Sequence, residues 1–205
     1  TTLFGGGAGG RRSDAFRARG EDHHAKVLID LEDAFRGASR TVTLRAPELD
    51  EQGRLVTRER TLQVQIPKGV REGQLIRLAG QGSPGPEASP AGDLYLEIHF
   101  KPHPLYRVDG RDLYLTLPLA PWEAALGATV KAPTPSGAVE VKVPPGSQGG
   151  RRLRLKGRGI PGAPPGDLYL VLEVVVPAAD SERAKQLYQT LARELAFNPR
   201  RTLGV

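Results

Sequence analysis

The sequence contains no cysteine and no methionine, and only one tryptophan, five tyrosines and five phenylalanines among its 205 residues. Because cysteine is missing, disulfides, thiol nucleophiles, iron–sulfur clusters and zinc sites built on thiolates are all excluded. The four histidines form two close pairs, His23 with His24 and His99 with His103. No Asp or Glu neighbour gives either pair a recognisable metal-ligand spacing. We therefore expect no metal and no other cofactor.

Long apolar segments are also missing. No run approaches the ~18 residues needed to span a bilayer, and no signal-peptide pattern precedes the first glycine-rich stretch. We expect a cytoplasmic protein with no membrane partner. Because the sequence begins at Thr1 without methionine, we expect it to be part of a longer protein.

Glycine, proline and positive charge are the residues present in excess. With 25 glycines and 18 prolines, the chain favours short strands separated by turns, and its length favours two small domains. A formal charge of +6 permits binding to polyanions. Residues 1–22 are rich in glycine and arginine and hold too little apolar surface to order themselves, so they are predicted to be a flexible linker.

A repeat organises the rest of the chain. The stretch from Ile66 to Gly82 returns from Val143 to Gly159 with seven of 17 positions identical, and Gly92–Leu96 returns intact as Gly166–Leu170. Chance matches of glycine and proline do not explain the five-residue identity. The sequence therefore predicts a duplicated domain.

Each copy alternates apolar and polar residues, as Leu62, Val64 and Ile66 do in the first. This period of two predicts strands, and each copy opens with a strand and one helical turn that ends at a glycine, Gly37 or Gly127. We predict an all-β fold of two tandem small β-sandwich domains. Their predicted ranges are residues 23–104 and 105–180.

The end of the chain, residues 181–205, has no counterpart in the first copy. Ser181 is a predicted N-cap of an amphipathic helix that stops at Asn198-Pro199. Either this helix covers its own domain, or its apolar stripe pairs with a second chain. We expect a homodimer through four residues of the stripe: Leu187, Tyr188, Leu191 and Leu195.

Several motifs follow one another in fixed order, at residues 31–37, 66–69, 73, 78–82, 92–94, 103–110 and 123–127. Together they resemble the C-terminal substrate-binding region of zinc-free DnaJ-type co-chaperones. The family's J-domain, with its His-Pro-Asp signature, is absent from this sequence, and the stretch Pro47 to Arg60 replaces its cysteine-rich zinc domain. Pro121–Ala125 and Phe197–Arg200 most resemble the bacterial branch that binds curved DNA.

The resemblance implies a module without enzymatic activity that holds unfolded polypeptide segments for a DnaK-type ATPase. By the same resemblance, Arg40 would suit the acidic C-terminal tail of that partner, and the client groove lies in the first copy. Taken alone, alternating Val and Leu are more often core residues, and Arg40 is more often a solvated charge. The implied groove residues are Val27, Ile29, Val42 and Leu44.

The alternative function is sequence-independent binding of curved double-stranded DNA by a nucleoid-associated protein, and one protein can do both. A basic strand face alternates with Leu153 and Leu155, and such a face would contact phosphates in a salt-sensitive way. The simpler interpretation is a solvated strand face. The candidate DNA contacts are Arg152, Arg154, Lys156 and Arg158, with Arg11 and Arg12 of the linker.

An enzyme is the third interpretation. Asp93 and Asp167 follow glycine in both copies, but duplication gives each domain its own aspartate, so both are predicted to stabilise turns. The triplets Gly5–Gly7 and Gly80–Gly82 lack the strand-to-helix context and the lysine of a phosphate loop. We predict no catalytic residues.

Overall fold

The computed structural model describes residues 19–49, 55–85 and 89–203, with only the backbone described for residues 45–49 and 55–58. The chain forms two compact units. The first comprises the residues up to His103 together with Ile160–Gly162, and the second comprises Pro104–Gly159 and the residues from Ala163 onward. Both units consist mainly of strands, and a longer helix lies near the C-terminus of the second, which confirms the predicted all-β fold class with a C-terminal helix.

The first unit contains two sheets. One has the strand order β1-β5-β4, in which β5 pairs in parallel with β1 and antiparallel with β4. The other is the antiparallel hairpin of β2 and β3. The elements are β1 (His23–Ile29), α1 (Leu31–Arg36), β2 (Ala38–Leu49), β3 (Leu55–Ile66), β4 (Leu75–Leu78) and β5 (Leu94–Phe100).

The second unit repeats this plan and adds a strand. Its larger sheet has the order β10-β11-β7-β6, and β8 pairs with β9 in a separate hairpin. The elements are β6 (Tyr106–Asp109), β7 (Asp112–Leu119), α2 (Pro121–Leu126), β8 (Ala128–Ala132), β9 (Val139–Val143), β10 (Arg152–Leu155), β11 (Leu168–Val174) and α3 (Glu182–Leu195), followed by a short 3-10 helix (Arg201–Leu203).

The core of each unit comes from alternate strand positions. Side chains on one face of each strand are buried, because successive residues of a strand point to opposite faces. Burying one such Leu or Ile side chain contributes about 1.5–3 kcal/mol to stability. Fully buried examples are Ile29, Val64, Leu96 and Ile98 in the first unit and Leu113, Leu119, Leu168, Leu170 and Leu172 in the second.

The two short helices end at the predicted glycines. Asp30 is the N-cap of α1, and its main-chain N–H donates to the Asp33 carboxylate. Pro121 is the first residue of α2. Gly37 and Gly127 end the helices with φ of 75° and 81°, a region open mainly to glycine.

Four details differ from the sequence predictions. The apolar pattern of Val27–Leu31 predicts a strand, but β1 ends at Ile29, because Asp30 already caps α1. The pattern from Leu168 through Val176 likewise predicts a strand, but β11 ends at Val174. Strands β2 and β3 reach into the stretch predicted only as a polar replacement of the zinc domain. Strand β6 has no counterpart among the described residues of the first unit, so the order of elements does not match throughout.

Candidate functional site

The hairpin of β2 and β3 carries an apolar face that leaves the core as the hairpin extends. Arg40 pairs with Val64, and Val42 pairs with Leu62, so these four residues lie on one face. Val64 is fully buried, whereas Val42, Leu62 and Leu44 are only half-buried. Within the described ranges β2 has a strand neighbour only on its β3 side. The first unit therefore presents an apolar surface beside an open strand edge.

The two predicted groove residues on β1 lie elsewhere. Val27 is 8% exposed and Ile29 is 1% exposed, so both side chains belong to the core. They face inward because β1 alternates in register with β5, opposite Ile98 and Phe100. Only Val42 and Leu44 of the predicted set offer side-chain surface to a client.

Arg40 is held by carboxylates of its own unit. Its Nε donates to Asp33 Oδ2 at 2.8 Å, and its Nη2 donates to Asp33 Oδ1 at 2.7 Å and to Asp30 Oδ2 at 2.9 Å. The bond to Asp33 raises the pKa of Arg40, and the ammonium of Lys101 together with Arg40 lowers the pKa of Asp30. The positive charge of Arg40 is thus already compensated before any partner binds.

Strand β10 forms the predicted basic face. Arg152 and Arg154 are exposed, and the alternating Leu153 and Leu155 are half-buried. Arg154 is not a free cation, because its Nε and Nη2 both lie 2.6 Å from Oδ2 of Asp167. Lys156 and Arg158 are exposed just beyond the strand. The predicted contacts Arg11 and Arg12 lie outside the described residues.

An aromatic and cationic row crosses the outer face of the larger sheet of the second unit. The strand registers align Arg154, Tyr169, Tyr114 and Arg107 across four strands. The two tyrosine rings stack with centroids 5.2 Å apart, and the Arg107 guanidinium lies 4.2 Å from the Tyr114 centroid. Because β6 and β11 flank β7, both faces of the Tyr114 ring are covered, and that ring is not available for stacking on a nucleobase.

The two aspartates after glycine stabilise turns, as predicted. Asp93 accepts from the N–H of Gly80 at 2.9 Å and from Arg77 Nε at 2.6 Å, and Asp167 accepts from Gly157 at 2.7 Å and from Arg154 at 2.6 Å. The N–H of Gly157 and the Arg154 guanidinium lower the pKa of Asp167. These carboxylates hold neighbouring strands together.

Helix α3 places its apolar stripe in solvent. None of its residues is buried, and Leu187, Leu191 and Leu195 are exposed. Tyr188 is half-buried and its hydroxyl donates to the carbonyl of Pro177 at 2.6 Å. The predicted N-cap is confirmed, because Ser181 Oγ accepts from the N–H of Ala184 at 3.1 Å.

Each of the four histidines contacts another side chain. His23 lies 2.7 Å from Ser83, His24 stacks on Tyr95, and His99 and His103 pair with Glu72 and Glu32. In the part of the chain that the structure describes, no three His or carboxylate side chains are grouped to hold a metal ion. No helix there is long and apolar enough to cross a membrane.

Comparisons with known proteins agree with this architecture. A family model described as the DnaJ C terminal domain matches residues 23–177, which span β1 to the end of β11. The curved DNA-binding protein of Coxiella burnetii (strain Dugway 5J108-111) is 51% identical over 189 residues, which cover 92% of this chain and 60% of that protein. The curved DNA-binding protein of Salmonella arizonae is 47% identical over 191 residues, 91% of this chain and 62% of that protein.

The chain spans about 60% of the length of these curated relatives. The matched residues contain both repeats, the β2–β3 hairpin and the basic strand β10. The resemblance predicted from the sequence motifs is therefore confirmed: the chain belongs to the DnaJ C-terminal domain family.

Proposed function

We propose that this chain is a co-chaperone module, without catalytic activity, that holds extended segments of unfolded polypeptides for a DnaK-type ATPase. The observation that supports this best is the half-buried apolar face of Val42, Leu44 and Leu62 beside the open edge of β2. Main-chain groups of an open edge bind any extended chain, and an adjacent apolar surface accepts its side chains. Such a site binds clients without sequence precision.

Aggregation of a chemically unfolded client tests this proposal. Val42→Asp or Leu44→Asp should abolish its suppression, because each places a charge on the apolar face, and suppression by the unchanged protein should persist at high salt. Thr43→Asp is the matched control, since Thr43 is exposed on the opposite face of the same strand. Full suppression by a folded Val42→Asp variant would contradict the proposal.

We also propose Arg40 as a contact for the acidic C-terminal tail of the partner ATPase. Asp33 and Asp30 already bind its guanidinium, so a tail carboxylate must share or displace them. We therefore expect the acidic tail to bind Arg40 only weakly. Arg40→Gln should abolish binding of an acidic tail peptide in a fluorescence titration, whereas Lys131→Gln on β8 should leave it unchanged.

The second candidate function is binding of curved DNA in the nucleoid of a bacterial cytoplasm. It is supported by the exposed cations Arg152, Lys156 and Arg158 at and beyond β10 and by similarity to relatives named curved DNA-binding proteins. Contacts of these cations with phosphates would be independent of sequence, and preference for a curved duplex would come from its shape.

The salt dependence of DNA binding tests whether these cations bind phosphates. Neutralising Arg152, Lys156 and Arg158 to Gln should reduce the slope of log affinity against log salt by about 0.9 for each phosphate that the protein no longer neutralises. The control carries the same reduction of charge at Lys131, Lys142 and Arg183. If the first triple variant keeps the original slope, the DNA contacts lie elsewhere.

We further propose that α3 forms a homodimer through Leu187, Tyr188, Leu191 and Leu195. No residue of α3 is buried, which favours a second chain over the helix's own domain as the partner of this apolar stripe. Sedimentation should show a dimer, and Leu187→Glu with Leu191→Glu should give a monomer. Gln189→Glu, on the opposite side of the helix, should leave the dimer intact.

A further inference from the structure

Equivalent strands of the two units differ at one edge. Strand β7 has neighbours on both sides, β11 and β6, whereas its equivalent β1 pairs only with β5 among the described residues. The equivalence follows from the registers, because Tyr95 of β5 pairs with His24 just as Tyr169 of β11 pairs with Tyr114. The second unit thus shows which kind of strand fits this edge.

The main-chain groups of β1 point outward at every second residue. The N–H of His23 donates to the carbonyl of Asp93 at 2.8 Å, which is the β5 side. Because the direction alternates along a strand, the N–H and C=O groups of His24, Lys26 and Leu28 face the open edge. All three residues are exposed, and Leu28 is 63% exposed.

In the second unit, β6 shows the side chains that suit this position. Tyr106 is buried opposite Leu115, and Arg107 stacks on the ring of Tyr114. In the first unit, the smaller Ala25 occupies the register position of Leu115 and is only half-buried. The ring at the outward position is His24, whose centroid lies 5.1 Å from that of Tyr95. An added strand would therefore place an aromatic side chain over Ala25 and a cation over His24.

The chain enters β1 differently from the way it enters β7. At Gly110, with φ of 61°, the chain turns back from β6 into β7. Gly20 has no positive φ; its N–H donates to the carbonyl of Pro90 at 3.0 Å, and the guanidinium of Arg19 lies 2.5 Å from Asp93. These contacts direct Arg19 and Gly20 along the loop before β5 instead of into a hairpin, so no described residue from Arg19 onward covers the outer edge of β1.

We propose that this open edge accepts an extended client segment as an added antiparallel strand, with preference for an aromatic residue followed by a basic residue. The proposal rests on the proposed client-binding function and adds a second docking edge, on β1, with a stated sequence preference. The preference is the one that β6 satisfies within this same chain.

The probe is a fluorescein-labelled peptide with the sequence of residues 105–110, which contains the Tyr-Arg-Val of β6. Anisotropy with the full chain should show binding. Peptides with Ala for the tyrosine or Glu for the arginine should each bind about tenfold more weakly. Equal affinity of all three peptides would overturn the preference.

The variant Lys26→Pro tests the edge itself. It removes one outward N–H, and proline is tolerated at a strand edge where that N–H faces solvent. Peptide affinity should fall about tenfold or more, whereas Lys26→Gln should change it less than about twofold. If Lys26→Pro does not fold, hydrogen exchange of the unchanged protein decides the question: bound peptide should protect the amides of His24, Lys26 and Leu28, and absence of protection there overturns the proposal.

Two outcomes distinguish this proposal from the proposed client-binding function and from occupation of the β1 edge by the chain itself. If Val42→Asp abolishes client binding while Lys26→Pro binds the peptide like the unchanged protein, this inference fails and the proposed function survives. The sequence Phe16-Arg17-Ala18 of this chain also has an aromatic residue followed by a basic one, like the Tyr-Arg of the peptide. If Phe16→Ala strengthens peptide binding about tenfold or more, the occupant of the edge is this chain's own segment, and the client proposal is overturned.

Discussion

At the scale of single residues, the carboxylate of Asp93 contacts the N–H of Gly80 and the guanidinium groups of Arg77 and Arg19. Arg19, the N–H of Gly80 and Arg77 hold its pKa well below the ordinary value of 3.8. Because the pKa of Asp93 is lower in the folded state than in the unfolded state, its carboxylate stabilises the fold at pH values above about 3.8. This contribution is lost as the pH falls from about 3.8 toward the lower pKa of the folded state. We expect Asp93→Asn to lower Tm at pH 7 and to remove this part of the loss of Tm below pH 3.8.

Thermal unfolding monitored by circular dichroism from pH 2 to 7 measures both effects. Asp180→Asn is the control, because Asp180 is exposed in the segment before α3. A Tm of the Asp93→Asn variant that equals the unchanged protein at pH 7 would show that the ion pairs contribute nothing net.

The sequence repeat predicts part of this arrangement. Arg77 and Arg154 occupy the same place in the two copies, as do Asp93 and Asp167, so their pairing could have been inferred from the repeat. The ion pair of Arg19 with Asp93 joins two residues that are far apart in the sequence, and Arg19 lies outside the repeated motifs. No pattern of period two or 3.6 carries that information, because only the fold brings these residues together.

At the scale of elements, the glycines that end α1 and α2 differ in their surroundings. An added Cβ at Gly127 would lie 3.0 Å from Cδ of Pro145 and 3.1 Å from the carbonyl oxygen of Val143, whereas at Gly37 the nearest atom is 3.4 Å away. Backbone strain at positive φ costs about 1–3 kcal/mol. We expect both alanine variants to be destabilised, and Gly127→Ala more than Gly37→Ala, in denaturant titrations. A larger loss of stability in Gly37→Ala than in Gly127→Ala would mean that Pro145 can shift away from the added Cβ at little cost in free energy.

The tyrosine pair of β7 and β11 provides a second prediction at this scale. Replacement of either ring by leucine keeps an apolar side chain but removes the stacking. A double-mutant cycle of Tyr114→Leu and Tyr169→Leu should give a coupling free energy of about 0.5–1.5 kcal/mol. The pair of Thr116 and Val171, neighbours in a nearby register position, should couple more weakly. Additive effects of the two tyrosine variants would show that the stack contributes nothing beyond burial.

The alternation of apolar and polar residues predicted where the strands lie better than it predicted which of their side chains are exposed. The alternation of Leu62, Val64 and Ile66 correctly predicts a strand, yet it assigns the three residues to one face without telling which is covered. Val64 is buried, whereas Leu62, two residues away on the same face, is only half-buried. Val27 and Val42 likewise look alike in the sequence, although Val27 lies in the core and Val42 is half-buried. Burial depends on what packs against a face, and the alternation of residues does not encode that.

At the scale of the whole molecule, duplication has produced two units with different surfaces on one framework. The second and last residues of α1 are Glu32 and Arg36, whereas those of α2 are Trp122 and Leu126, which are 58% and 78% exposed. In the second unit β6 also pairs with the edge of β7 whose equivalent on β1 has no strand neighbour among the residues that the structure describes. Both units keep the same Arg–Asp ion pair, Arg77 with Asp93 and Arg154 with Asp167, within their common framework. The differences between the units lie on exposed helix positions and at a strand edge, which are accessible to binding partners.

The proposed dimer leads to a prediction about clients with two apolar segments. Two copies of the β2 site in one dimer raise the effective concentration for the second segment, so such a client should bind at least about tenfold more tightly than a one-segment peptide. Leu187→Glu with Leu191→Glu should remove this advantage and leave one-segment affinity within about twofold, as measured by anisotropy, while Gln189→Glu keeps it. If the monomeric variant binds the two-segment client as tightly as the dimer does, a single chain engages both segments, and the dimer makes no contribution to client affinity.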